Sequence, residues 1–180
     1  FSYYTNVNLS HNQNVIIDRR ETPYTNEYQY QKGHRIGARY MYQFFRYYDA
    51  DTPRLYEETF GKPFPQQLVE LKDGDAVFVD LDGNGKIDGN DMTRDLGFTD
   101  DPQYVLGVNA GFTYKNWDFS MQWTGAFGVS RMISDVFRIP FMSRTDYTTG
   151  GLLQYHIDNT WTAENPSQSA KYPRATWTNG

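Results

Sequence analysis

Two neighbouring stretches, 105–114 and 117–127, alternate apolar and polar residues along most of their length, and only two residues separate them. In the first, Leu106, Val108, Ala110, Phe112 and Tyr114 lie on one side, opposite Gly107, Asn109, Gly111 and Thr113. In the second, Trp117, Phe119, Met121, Trp123 and Phe127 oppose Asp118, Ser120, Gln122 and Thr124. A period of two is a strand pattern and cannot form one face of a helix. Lys115-Asn116 predicts a two-residue hairpin turn. That loop length sets 114 against 117, 112 against 119, 110 against 121 and 108 against 123, so apolar meets apolar at every pair.

Length narrows the choice further. About ten residues at roughly 3.3 Å, tilted about 45°, span roughly 23 Å, close to the roughly 25 Å apolar band of an outer-membrane barrel. Tyr114 and Trp117 then ring the turn, where a membrane interface places aromatics. A soluble sandwich or lipocalin-like hairpin has the same alternation with its apolar face turned inward, so periodicity alone leaves both open. Composition suits two-faced strands: 17% of residues are aromatic, yet mean hydropathy is −0.75. No run approaches the roughly 18 apolar residues of a membrane helix, which excludes helical spans only. Either reading makes the fold all-β.

The same alternation predicts strands over about 1–17, with Phe1, Tyr3, Thr5, Val7 and Leu9 on one face, and over 34–45. In the latter, Ile36, Ala38, Tyr40, Tyr42 and Phe44 oppose Arg35, Gly37, Arg39, Met41 and Gln43. The hairpin supplies strands at 105–114 and 117–128. Residues 46–74 read as irregular, with a short helical turn near Leu55–Phe60, and 129–175 as a long loop region with a helix within Leu152–Trp161. All 180 residues read as one part of a longer barrel chain, since the strand pattern begins at Phe1 itself.

Residues 80–91, DLDGNGKIDGND, form a calcium-type loop. Such a loop supplies oxygens from positions 1, 3, 5, 7, 9 and 12, with Gly at 6 for the sharp turn. Here these are Asp80, Asp82, Asn84, the Lys86 carbonyl, Asp88 and Asp91, with Gly85 at 6 and Ile87 as the apolar anchor. Position 12 is Asp rather than Glu, and the shorter Asp carboxylate either lowers the expected affinity or requires the flanking backbone to close in. Val77-Phe78-Val79 before the loop reads as strand, so no helix pair is available to open as a signalling switch. The loop is therefore either a structural calcium clip or a metal-free turn of Asx type.

Other chemistry is thin. There is no cysteine, and a net charge of −5 argues against nucleic acid as a partner. His11, His34 and His156 lack metal-ligand spacing and read as surface or lumen side chains. No nucleophile elbow, phosphate loop or zinc-protease motif occurs. Glu57, Glu58, Glu70 and Asp73 give no reason to choose a catalytic pair, so the expectation is a non-enzyme. Arg35 and Arg39 can line a lumen or simply solvate a strand face.

Read in order, the motifs are Gly74-Asp75, then Val79-Asp80-Leu81-Asp82-Gly83-Asn84-Gly85-Lys86-Ile87-Asp88 with Asp91. Gly107-Val108-Asn109 through Tyr114-Lys115-Asn116-Trp117-Asp118-Phe119-Ser120 follows, and last come Trp161-Thr162-Ala163-Glu164-Asn165-Pro166 and Tyr172-Pro173-Arg174. This series resembles the C-terminal barrel portion of SusC/RagA-type TonB-dependent transporters of the Bacteroidetes outer membrane, across most of residues 30–174. Ala163 stands where that family commonly has Pro. The resemblance implies a portion of a large antiparallel transmembrane β-barrel with long extracellular loops, residence in the cell outer membrane, and active import of oligosaccharides or peptides without catalysis. It also implies a SusD-like surface lipoprotein as partner and TonB contact through parts outside this chain. The alternative is a soluble, calcium-stabilised β-sandwich that binds carbohydrate on exposed aromatics.

Overall fold

A computed structural model describes residues 1–133, 135–138, 143–144, 147–148 and 151–176. The strands are β1 (Ser2–His11), β2 (Met41–Tyr42), β3 (Phe44–Tyr47), β4 (Ala76–Phe78), β5 (Met92–Thr93), β6 (Tyr104–Tyr114), β7 (Trp117–Phe127), β8 (Ser143–Arg144) and β9 (Tyr147–Thr148). The α-helices are α1 (Thr52–Phe60), α2 (Asp135–Arg138) and α3 (Gln154–Asn159). The chain divides into two compact units, 1–40 with 94–131, and 41–93 with 132–180.

In the first unit, β1, β6 and β7 form one antiparallel sheet with β6 in the middle. The hairpin register agrees with the pattern: Tyr114 faces Trp117, Phe112 faces Phe119, Ala110 faces Met121 and Val108 faces Trp123. Lys115 holds a φ of 53°, the left-handed value that a primed turn needs at its first central residue. β1 adds Tyr3 opposite Phe112, Val7 opposite Val108 and Leu9 opposite Leu106, which extends one apolar face across three strands. On the other face the Tyr4 ring lies over Gly111, where an added Cβ would stand 2.6 Å from it. Among the described residues no closed barrel forms, and the sheet ends in two open edges.

The strand expected over 34–45 is not continuous. Only Met41–Tyr42 and Phe44–Tyr47 are extended, and 34–40 turns instead. Gly37 takes a φ of +84°, which ends any strand there. The alternating arginine Arg39 is drawn off the pattern by Asp100, at 2.7 Å, and by the Ser130 carbonyl. β1 likewise stops at His11 rather than near residue 17.

The second unit has its own core: Tyr47, Tyr56, Val77, Val79, Ile87, Trp161 and Tyr172. The expected helical turn near Leu55–Phe60 belongs to α1. Pro53 sits in its first turn, and Gly61 closes it in the left-handed region with its N–H on the Glu57 carbonyl. Thr52 and Tyr56, four residues apart, form the buried stripe. The Tyr56 ring is packed among Phe45, Phe60 and Phe64.

β3 and β4 pair with each other, and a glutamine amide occupies the outer edge of each. Gln168 accepts from the Tyr47 N–H at 2.9 Å and donates to its carbonyl at 3.0 Å. Gln67 accepts from the Phe78 N–H at 2.9 Å and donates to its carbonyl at 3.2 Å. Each side chain thus replaces a neighbouring strand. Replacing Gln67 by leucine strands two backbone groups at a buried position. It is expected to destabilise this unit by about 2–4 kcal/mol, read by denaturant unfolding.

Candidate metal centre

The loop 80–91 leaves β4 and ends in a single 3-10 turn, Gly89–Asp91. Its shape comes from carboxylates accepting backbone N–H groups. Asp80 accepts from Gly83 at 2.6 Å and Asn84 at 3.2 Å on one oxygen, and from Gly85 at 2.8 Å on the other. Asp91, fully buried, accepts from Leu81 at 2.8 Å and Asp88 at 2.8 Å. Gly83 and Gly85 take φ of +76° and +85°, which lets the backbone turn around Asp80.

One carboxylate oxygen from each of Asp80, Asp82 and Asp91 lies within 4.8 Å of the other two, and together they can hold a metal ion. Burial pushes the Asp91 carboxyl above its ordinary value, against the pull of the Asp88, Leu81 and Asp82 N–H groups. A cation would supply the positive charge that this buried carboxylate lacks.

The other expected ligands are placed differently. Asp88 accepts from the Asn90 N–H, and Lys86 Nζ is 3.1 Å away. The N–H bond first, then the lysine, holds the Asp88 carboxyl below its usual value. Asn84 turns its amide nitrogen to Asp82 at 3.1 Å, while its Oδ1 accepts from the Lys86 N–H. The Lys86 carbonyl takes no part in the bridge to Gln66, which uses the Gly85 carbonyl and the Ile87 N–H.

Two supporting residues carry no local signal in the sequence. The Tyr56 hydroxyl accepts from the Asp80 N–H at 3.0 Å, which ties α1 to the loop's first position. Gln66 accepts from the Ile87 N–H at 2.7 Å and donates to the Gly85 carbonyl at 2.9 Å. Both lie well before the loop in sequence, so only the fold brings them there.

Three of the motifs, far apart in sequence, meet in one cluster. The Trp161 ring lies against Gly74, where an added Cβ would be 2.1 Å from it. Arg174 forms an ion pair with Asp75, its Nε 2.6 Å from Oδ1, and donates its N–H to the Gly74 carbonyl. The Trp161 N–H donates to the Tyr172 carbonyl. Gly74-Asp75, Trp161 and Tyr172-Pro173-Arg174 are therefore one packed assembly.

The histidines are not alike. His11 stacks on Tyr104 at the sheet end, and His34 lies 2.7 Å from Asp95. His156, expected at a surface or lumen, is fully buried. Its Nδ1 accepts from the Leu153 N–H, its Nε2 is 3.0 Å from the Phe137 carbonyl, and its ring meets Tyr172 edge-on. Its place on α3 against the Tyr172 segment explains the burial.

No protein-family model matches the chain, and a search of curated proteins finds no match.

Proposed function

We propose that this chain is part of the wall and loops of an outer-membrane, TonB-dependent transporter of the SusC/RagA type. It imports oligosaccharides or peptides together with a SusD-like lipoprotein and catalyses no reaction. TonB is engaged through segments outside residues 1–180.

One observation carries the reading. The apolar face of the three-stranded sheet is exposed, with Tyr3 79%, Val7 60% and Trp123 62% accessible, while the opposite face is polar. Along that face, aromatics gather at both ends. Phe1, Tyr3, Phe112, Tyr114, Trp117 and Phe119 lie toward the turn, and Tyr104 and Phe127 lie at the far end. Between them stand mostly aliphatic residues: Val7, Leu9, Leu106, Val108, Ala110 and Met121. The eleven residues from Tyr104 to Tyr114, tilted, give roughly the 25 Å between the aromatic girdles of a membrane barrel. In a soluble sandwich the same face would be packed inside a core, so the exposure favours lipid as its neighbour. Strands outside this chain would pair with the two open edges, because open edges in lipid leave backbone groups unsatisfied.

The test is fluorescence quenching in bilayers by lipids brominated at graded depths. Trp123 is expected to be quenched most strongly by deep bromines and Trp117 by shallow ones, each compared with its Phe variant. Equal, weak quenching at all depths would overturn the barrel reading.

The loop 80–91 is a structural calcium clip in this reading. Its donors are all oxygen, which suits a hard cation. An exposed loop outside the cell meets millimolar calcium, so modest affinity suffices. Asp91→Asn is expected to weaken calcium binding about ten-fold or more by calorimetry. Chelation is expected to loosen 80–91 and leave the sheet intact, and loss of the whole fold on chelation would count against the clip.

A further inference from the structure

The loop contains Asn84 followed by Gly85, the pairing in which a backbone nitrogen meets least obstruction in attacking the preceding carboxamide. Asn84 is exposed, so nothing in its burial shields it. We propose that Asn84 is a latent deamidation site, and that the closed loop holds the reaction off through Asp80.

In the reaction the Gly85 amide nitrogen bonds to Asn84 Cγ. The Gly85 amide proton leaves to solvent base, the Cγ–Nδ2 bond breaks, and Nδ2 departs as ammonia after taking a proton from water. Water then opens the resulting succinimide at either carbonyl, giving aspartate or isoaspartate, with no change in oxidation state. Three features of the loop oppose the first step. The Gly85 N–H donates to Asp80 Oδ2 at 2.8 Å, so the nucleophile is committed to another acceptor. Asn84 Oδ1 accepts from the Lys86 N–H at 2.9 Å and its Nδ2 donates to Asp82 at 3.1 Å, which pins the carboxamide at both ends. The carboxylates of Asp80 and Asp82 lie beside Gly85 N and Asn84 Nδ2, and an amide anion forming next to them is repelled.

The two products act differently on the loop. Aspartate at 84 adds a further carboxylate to the cluster. Isoaspartate lengthens the backbone by one carbon just before Gly85, whose carbonyl accepts from Gln66, and so disturbs the bridge that joins the loop to residue 66.

The experiment ages the intact protein in calcium-containing, mildly alkaline buffer and follows residue 84 by peptide mapping with isoaspartate detection. The denatured chain serves as the clock. Asn84 in the folded protein is expected to deamidate at least roughly ten-fold more slowly than in the denatured chain, the factor being set by the free energy of opening the loop. Asp80→Ala removes the acceptor and is expected to bring the rate close to the denatured value. Asp80→Asn keeps one acceptor oxygen, for either the Gly85 N–H or the Gly83 and Asn84 N–H groups, and is expected to retain part of the protection, which separates loss of this hydrogen bond from loss of fold. Wild-type protein deamidating as fast as the denatured chain would overturn the proposal, and so would Asp80→Ala remaining as slow as wild type.

Discussion

Arginine in place of Val108 is expected to cost about 2–4 kcal/mol of stability in a bilayer, while arginine in place of Tyr114 costs about 1 kcal/mol or less. Both positions share the exposed apolar face, opposite Trp123 and Trp117 respectively. They differ in where they stand between the aromatic ends. A charge at mid-depth must leave water altogether, whereas one at the rim reaches the interface. Arginine at Asn109, one residue along and on the polar face, is expected to change little. The measurement is urea unfolding of the protein folded into lipid vesicles. A soluble core offers no reason for the cost to fall toward both strand ends, so a flat profile along β6 would remove the membrane from the account.

The second large effect is expected at Gly74. Its φ of +87° costs any other residue roughly 1–2 kcal/mol, and a Cβ there meets the Trp161 ring at 2.1 Å. Forcing the ring aside adds about 1–3 kcal/mol, so Gly74→Ala is expected to lose about 2–5 kcal/mol in all. Gly61 supplies the control. Its φ is +65° but nothing lies within 4 Å of the added carbon, so Gly61→Ala shows the backbone cost alone. Hydrogen exchange reads the result: the amides of Trp161 and Arg174, both bonded to backbone carbonyls, should lose protection in Gly74→Ala and keep it in Gly61→Ala. Equal protection in both variants would mean that the ring contact contributes nothing.

The register of the hairpin was legible in the sequence, because alternation and a two-residue turn together leave one pairing, while each strand's far end differs by one residue from the expected 105–114 and 117–128. The loop 80–91 was legible for a similar reason, since its spacing is local. Of its six expected ligands, Asp80, Asp82 and Asp91 are brought together, while Asp88 is held by Asn90 and Lys86. Residues 34–45 misled because alternation reports a preference for two faces and cannot report a partner. With Gly37 turned and Arg39 bound elsewhere, only 41–42 and 44–47 find strands to pair with. Gln67, Gln168, Tyr56 and the buried His156 were invisible for a deeper reason. Each acts on a residue distant in sequence, and an isolated glutamine or tyrosine carries no mark of that.

The pairing of β1 with β6 bears on the order in which the chain assembles. The β6–β7 hairpin closes over two residues, while β1 meets β6 only after residues 12–103 have been gathered into a loop. By the logarithmic law of loop closure, that difference is roughly 3 kcal/mol of entropy unless the intervening segment has already condensed. A chain built this way is expected to zip from its middle outward, with the hairpin as the seed and its most N-terminal strand among the last to dock.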